Sequence, residues 1–343
     1  MSIFIDNINC QYKITLVLQN ESFLLRLNIL ITKAVVMSNP GKLAIESVEL
    51  KECQTEDVVV DIHYSGISTG TEKLFWNGKM PAFPGMGYPL VPGYESTGEV
   101  VQASKSSGFK EGDIVFVPGA DCYSGSVRSL FGGAAKRVIS PSNRLIKIDS
   151  AMGVNGALFA LAATARHAIA GFGNRMPEVI VGHGVLGRLL ARLVILAGEK
   201  PPIVWEKNIF RHAGATDYEV VLPEFDSRSD YDCIYDVSGD SDILDSLIGK
   251  VKKGGEVVMA GFYPERVSFG FAQAFIKEVS VRVSAEFTPE DVATTKLLIE
   301  DGSLSFDGLV SDVFQVNKAT EAYKVAFEKA ECLKMVLDWR NAA

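Results

Sequence analysis

Three glycines at the spacing G-x-G-x-x-G stand in the run Gly182-His183-Gly184-Val185-Leu186-Gly187. The strand-like EVIV precedes this run, and LGRLLARLVILAG, with helical periodicity, follows it. In that context Gly182 permits a tight turn, Gly184 lets the backbone approach a pyrophosphate, and Gly187 lets helix and strand pack closely. The N–H groups of Val185 and Leu186 open the helix and, with its positive dipole end, attract phosphate oxygens. His183 is read as lining the turn rather than as a catalytic imidazole. A second strand ends in Val204-Trp205-Glu206, 24 positions after Gly182 (206 − 182). A carboxylate there accepts from ribose hydroxyls and repels a 2′-phosphate, so Glu206 predicts NAD rather than NADP. Lys207 and Arg211 carry the opposite sign and are candidate phosphate partners. Ser238 with Gly239, and Gly261 with Phe262, close later strands at the edge where doubly wound sheets bind ligands. They are placed beside the ribose and nicotinamide.

The elements carrying these residues alternate. EVIVG, PPIVWE, YEVVL, YDCIYDVSG, GEVVMAGF and VSVRVSA read as strands. Between them lie RLLARLVILAG, a short segment around Arg211, and DILDSLIGKV. Such alternation predicts α/β architecture, a parallel sheet covered by helices on both faces. Ahead of it, GALFALAATARHAIAGFG is an Ala-rich helix that stops at Gly171 and Gly173. From Lys33 to about Asp149 the texture differs: KAVVM, DVVVDIHYSG, STGEVVQAS, GDIVFVPG and AAKRVIS are short strands of a β-rich lobe. Past Pro289 a helix (DVATTKLLIEDG), a strand (LVSDVFQ), a helix capped near Asn317 and a final strand (CLKMVLDW) return to that first lobe. The division is 33–152, 153–288 and 289–343. Residues 1–32 lack the charged, apolar and small-residue parts of a signal peptide and are read as a disordered or artefactual extension.

Composition narrows the function classes. A chain of 343 residues suits two lobes better than one core. The formal net charge of -8, with no Lys/Arg run, argues against nucleic acid, while a local Arg or Lys can still bind a carboxylated substrate. Cys10, Cys53, Cys122, Cys233 and Cys332 are widely spaced and never form C-x-x-C. That usage points to a reducing cytoplasm, without a disulfide framework or a cysteine-built zinc site. No apolar run approaches the roughly 20 residues of a transmembrane helix.

Specific segments resemble the medium-chain dehydrogenases. Gly66-Ile67-Ser68 stands where they have GIC, Pro92-Gly93-Tyr94-Glu95 where they have PGHE, Gly112-Asp113-Ile114-Val115 for GDRV, and Ala163-Thr164-Ala165 for A-x-T-A. The resemblance implies a GroES-like catalytic lobe, a Rossmann lobe with Thr164 toward the nicotinamide, and a homo-oligomer. Zinc-dependent members place a Cys, a His and a third Cys or acid at positions held here by Ser68, Tyr94 and Ala160. A hydroxyl, a phenol and a methyl group do not build a tetrahedral zinc site, so no metal is expected. SGISTGTEKLFWNGKMPAFPGMGYPLVPGYES, LFGGAA, VGHGVLGRLLARL, YDVSGD and CLKMVLDW resemble the bacteriochlorophyllide a dehydrogenases of bacteriochlorophyll biosynthesis. That resemblance implies NAD-dependent oxidation of the 3-(1-hydroxyethyl) group of a (bacterio)chlorophyllide to 3-acetyl.

Without a metal, protein groups must take or share the alcohol's proton from within about 3 Å. Tyr94 and Glu95 lead as acceptors; Ser68, Thr71 and Glu72, on the facing loop, are candidates to relay the proton or orient the substrate. Glu95 has an equal reading as a buried carboxylate paired with an arginine. His167 is read as packed or capping, and His63 as structural. Phe75, Trp76, Phe83, Met86 and Tyr88 are candidates to line a wide, flat pocket for a macrocycle, or else fold onto their own lobe. Two other functions stay open: a zinc-free NADPH-dependent quinone or enone reductase, and a pigment carrier that keeps a nucleotide fold.

Overall fold

A computed structural model describes residues 30–342 except 83–84, 130 and 171–173, together with the strands Ser2–Ile8 and Gln11–Val17. Those two strands pair antiparallel; the remainder of the proposed extension before residue 30 lies outside the described residues. The first strand of the β-rich lobe is Ile31–Asn39, two residues ahead of its expected start, since Ile31 and Thr32 already pair with Glu49 and Val48. Its partner Lys42–Glu49 was not foreseen, because Lys, Glu and Ser interrupt its apolar alternation.

The first lobe is organised around the long strand Asp57–Ile67, buried on both faces and paired with Ser96–Ala103, Arg137–Pro141 and Met335–Asp338. The C-terminal strands Asp312–Gln315 and Met335–Asp338 complete this sheet, so the chain does return to its first lobe. The return begins later than expected. Helix Pro289–Glu300 packs on helix Phe159–Ala170, and Leu304, Phe306 and Leu309 join the core of the second lobe. Asp291 makes that junction: it accepts from Arg166 Nη1, lies 2.7 Å from His167 Nδ1, and closes a capping box with Thr288. Burial would raise its pKa, but the Thr288 hydrogen bonds, Arg166 and His167 win and hold it at about 2. His167 is thus structural, as read.

The second lobe is a six-stranded parallel sheet in the order Glu219–Val221, Ile203–Trp205, Val179–Val181, Tyr231–Asp236, Val251–Met259, Ser280–Val283. The chain starts in the middle and winds outward twice, leaving a crevice where the order reverses, beyond the ends of Val179–Val181 and Tyr231–Asp236. All six strands correspond to expected segments. Helix Phe271–Lys277 was not foreseen: only Ala274 is buried, so no apolar periodicity marks it. The helix expected to be capped near Asn317 is Ala319–Glu328, entered through the 3-10 turn Val316–Lys318 without a side-chain cap. Its inner face carries Ala319, Ala322, Tyr323, Ala326 and Phe327.

Candidate active site

The glycine turn is built as its spacing predicts. Gly182 has φ of +104°. A Cβ on Gly187 would lie 1.9 Å from the Gly182 carbonyl oxygen, so only glycine lets helix Val185–Leu196 sit this close to the strand. A Cβ on Gly184 would meet nothing within 4 Å. Gly184 begins the helix, and no side chain caps it. The first-turn N–H groups, those of Val185 and Leu186 included, thus have no side-chain cap, a fit to a pyrophosphate. His183 is fully buried: its Nδ1 is 2.6 Å from the Arg211 carbonyl and its Nε2 2.8 Å from Tyr218 Oη. Burial lowers its pKa to about 4. The ring is neutral, donating through Nδ1 to a carbonyl that only accepts, and so accepting from Tyr218.

Glu206 belongs to the same turn. Its two oxygens accept from the His183 N–H at 2.9 Å and the Asn208 N–H at 2.8 Å. The acid thus shapes the turn, and its remaining lone pairs are what a ribose would meet. Arg211 Nε donates to the Ala330 carbonyl at 3.1 Å, which ties this candidate phosphate partner to the C-terminal segment. At the neighbouring strand ends, buried Asp236 accepts from the Ser238 N–H at 3.0 Å and from Tyr263 Oη at 2.6 Å. Burial raises its pKa despite these bonds. A Cβ on Gly239 would approach the Phe262 carbonyl at 3.1 Å, and one on Gly261 the Gly239 nitrogen at 3.3 Å, so these two turns touch. Phe262 is 46% exposed at that edge. Thr164 donates to the Ala160 carbonyl of its own helix at 2.9 Å.

In the first lobe Ser68, Thr71 and Tyr94 converge. Ser68 Oγ lies 2.8 Å from Tyr94 Oη, and Thr71 Oγ1 donates to Ser68 Oγ at 3.1 Å. Tyr94 packs edge-on against Phe131 with 4.9 Å between centroids, in an apolar group that includes Ala160 and Phe159. Ser68 and Tyr94 thus touch, and Ala160 belongs to the apolar group on which Tyr94 packs. Among the described residues no three His, Cys, Asp or Glu side chains form a cation site.

Behind this centre lie two fully buried carboxylates. Glu95 is ion-paired with Lys334 and has its other oxygen without a partner. Burial raises its pKa even against Lys334. Its expected role as proton acceptor is corrected to the paired reading, with a lysine in place of the arginine. Gly66 makes the room: a Cβ there would be 2.9 Å from Lys334 Cε. Glu72 accepts from Tyr323 Oη at 2.8 Å and from the Ser68 backbone, and its Oε1 has no partner. Burial raises its pKa to about 8. Tyr94 is pushed above the ordinary phenol value, by burial and then by Glu95. Neither Tyr323 nor Lys334 was anticipated. The one sequence signal is Lys334 itself, a lone cation in the apolar strand CLKMVLDW.

The expected macrocycle pocket is only partly realised. Residues Thr71–Trp76 form a helix that turns Glu72 and Phe75 inward together, and Phe75 is 1% exposed in the core of its own lobe. Trp76 packs against Phe327, and Tyr88 donates to the Phe75 carbonyl at 2.5 Å. Met86 and Tyr88 are half-buried. Phe83 lies outside the described residues.

Sheet order, glycine turn and the hydroxyl centre of the first lobe together define a medium-chain alcohol dehydrogenase fold. The alcohol dehydrogenase GroES-like domain model matches residues 54–150. Two solved structures share the fold. One, from Sinorhizobium meliloti, is described as a zinc-binding dehydrogenase bound to NADP (TM-score 0.74, 21% identity, 90% of this chain and 99% of that one). The other is acetophenone reductase from Geotrichum candidum with NAD (TM-score 0.73, 19% identity, 90% and 97%). A far nearer relative is the 2-desacetyl-2-hydroxyethyl bacteriochlorophyllide A dehydrogenase of Rhodobacter capsulatus. It is 56% identical over 311 residues, covering 91% of this chain and 99% of the relative. The chain belongs to this bacteriochlorophyllide dehydrogenase family.

Proposed function

We propose that this chain oxidises the 3-(1-hydroxyethyl) group of a (bacterio)chlorophyllide to 3-acetyl with NAD. The observation that supports it best is the Ser68–Tyr94–Thr71 centre, in a chain so close to relatives named for that substrate. The same kinship disfavours the quinone reductase and pigment carrier readings. The cofactor, when bound, supplies the hydride acceptor. Glu206 at the ribose end of the turn is the ground for NAD over NADP.

The protein's part is the proton. Ser68 Oγ accepts from Thr71 and lies 2.8 Å from Tyr94 Oη, a contact in which either hydroxyl can donate. As the hydride leaves, Tyr94 Oη takes the substrate's hydroxyl proton while passing its own to Ser68 Oγ. A phenol this hard to ionise relays the proton and is not its final acceptor. Burial raises the Glu72 carboxyl to about 8 and Glu72 lies against the Ser68 backbone, so its ionised form is assigned as the group that takes the proton Ser68 gives up in turn. No step needs a metal.

The fold also supports a homo-oligomer in the cytoplasm. Phe271, Phe275 and Ile276 are 71%, 67% and 72% exposed on one helix, and Val283 is 76% exposed on the sheet's last strand. A second copy covering that face and pairing edge to edge about a twofold axis removes both liabilities. Widely separated cysteines are the ground for the compartment, and no helix of the described residues is long and apolar enough to cross a membrane.

Purified protein incubated with NAD and a 3-(1-hydroxyethyl) bacteriochlorophyllide is expected to yield NADH with a red-shifted pigment band, with or without EDTA. No NADH in either arm overturns the reaction; loss with EDTA and recovery with zinc overturns the metal-free route.

A further inference from the structure

Arg128 is an exposed cation for which, among the described residues, no carboxylate partner is found. Its position is nonetheless fixed. The Arg128 N–H donates to the Pro89 carbonyl and the Val91 N–H donates to the Arg128 carbonyl, both at 2.9 Å, so its backbone is bound to the segment that leads into Tyr94. Its guanidinium arm lies over Gly87: a Cβ there would be 2.8 Å from Arg128 Nε and 3.2 Å from Cδ. Glycine at that position is what lets the arm lie down along the lobe.

The surroundings are those of a binding face. Half-buried Met86, Tyr88, Val127 and Phe131 lie on the same two segments, and Phe131 is the ring packed on Tyr94. Arg128 is bridged to Leu90, and from Leu90 to Tyr94 the chain spans at most about 14 Å. Half-buried and packed on the lobe's core, these four side chains form an apolar strip on the segments that join Arg128 to Tyr94. A chlorophyllide has matching chemistry: a flat apolar ring with a free propionate at one side and the hydroxyethyl arm at another.

We propose that Arg128 is a specificity-determining residue, anchoring the substrate's propionate while the ring lies along the strip toward Tyr94. This rests on the tetrapyrrole reading above. Arginine suits the task because its planar fork holds a carboxylate through two hydrogen bonds. The anchor explains how a chain of net charge -8 holds an acidic substrate.

Binding of 3-(1-hydroxyethyl) bacteriochlorophyllide and of its methyl ester, followed by pigment absorbance, tests the anchor without turnover. The wild type is expected to bind the acid about tenfold more tightly than the ester. Arg128→Gln erases that preference by weakening the acid alone, Arg128→Lys keeps part of it, and Gly87→Ala, which pushes the arm aside, erodes it. Equal binding of acid and ester by the wild type, or a preference that survives in Arg128→Gln, overturns the anchor. The two readings fail differently: pigment bound with the acid preference but never oxidised ends the reaction assigned above, whereas oxidation without an acid preference ends only the anchor.

Discussion

At the turn 182–187 the binding surface is backbone, with N–H groups uncapped and a space where a side chain would otherwise stand. At the Ser68–Tyr94 centre it is side chain, and nearly every polar group already has a neighbour: Ser68 with Tyr94 and Thr71, Glu72 with Tyr323, Glu95 with Lys334. The first site works because its donors are left free. The second works because buried charges hold one another in place and shift one another's proton affinity. Damage should therefore follow volume in the turn and charge in the centre.

The largest effect is expected from charge. Lys334→Ala leaves Glu95 buried without its cation, and breaking such a pair costs about 3–5 kcal/mol. Thermal or urea unfolding should show that loss, and Glu95→Gln in the same chain should recover a large part of it. A Lys334→Ala protein as stable as wild type would mean the pair contributes nothing. Volume comes next. Gly187→Ala drives a methyl group into the Gly182 carbonyl and should cost about 1–3 kcal/mol. Gly184→Ala, with open space at the same atom, should leave unfolding within about 0.5 kcal/mol of wild type yet weaken NAD in a fluorescence titration. Equal effects of the two alanines on stability would erase the distinction drawn between them.

These two regions were not equally legible in the sequence. The turn is contiguous, and its glycines answer to backbone sterics that act within a few residues, so Gly182, Gly184 and Gly187 could each be given a role from spacing. The centre is assembled from residues far apart in the chain. Ser68 and Tyr94 were found because the segments around them resemble a known pattern. Lys334 stands just before the apolar strand Met335–Asp338 and Tyr323 on the inner face of a helix, where a polar residue's partner is set by tertiary packing. Phe75 misled for the same reason: an aromatic-rich run shows apolar area but not which side it faces, and one helical turn at Thr71–Trp76 directed it inward.

Glu72 sharpens the comparison through pH. Its carboxyl is raised from the ordinary 4.5 to about 8 by burial. Between those values the folded protein holds a proton that the unfolded chain has released, so stability is full below about 4.5 and falls as pH rises toward 8. The slope is at most one proton, about 1.4 kcal/mol per pH unit. Glu72→Gln should flatten that slope. On the assignment of ionised Glu72 as the acceptor, activity should move the other way: oxidation rises through about pH 8 in wild type and loses that rise in Glu72→Gln. A variant that keeps the rise shows that the acceptor is another group.

The smallest effect belongs to Glu206, which joins both modes of construction. Its carboxylate is a charge, yet it acts on backbone, holding the N–H groups of His183 and Asn208. Glu206→Gln keeps an acceptor oxygen for one of those bonds and removes the charge, so the turn should survive while repulsion of a 2′-phosphate disappears. The expected result is NAD affinity lowered by less than about tenfold with NADP gaining relative to it, read from the ratio of kcat/KM for the two cofactors. Glu206→Ala removes both acceptors and should weaken NAD further as the turn loosens. If glutamine and alanine weaken NAD alike and neither changes the ratio, Glu206 is a brace for the turn and selects no cofactor.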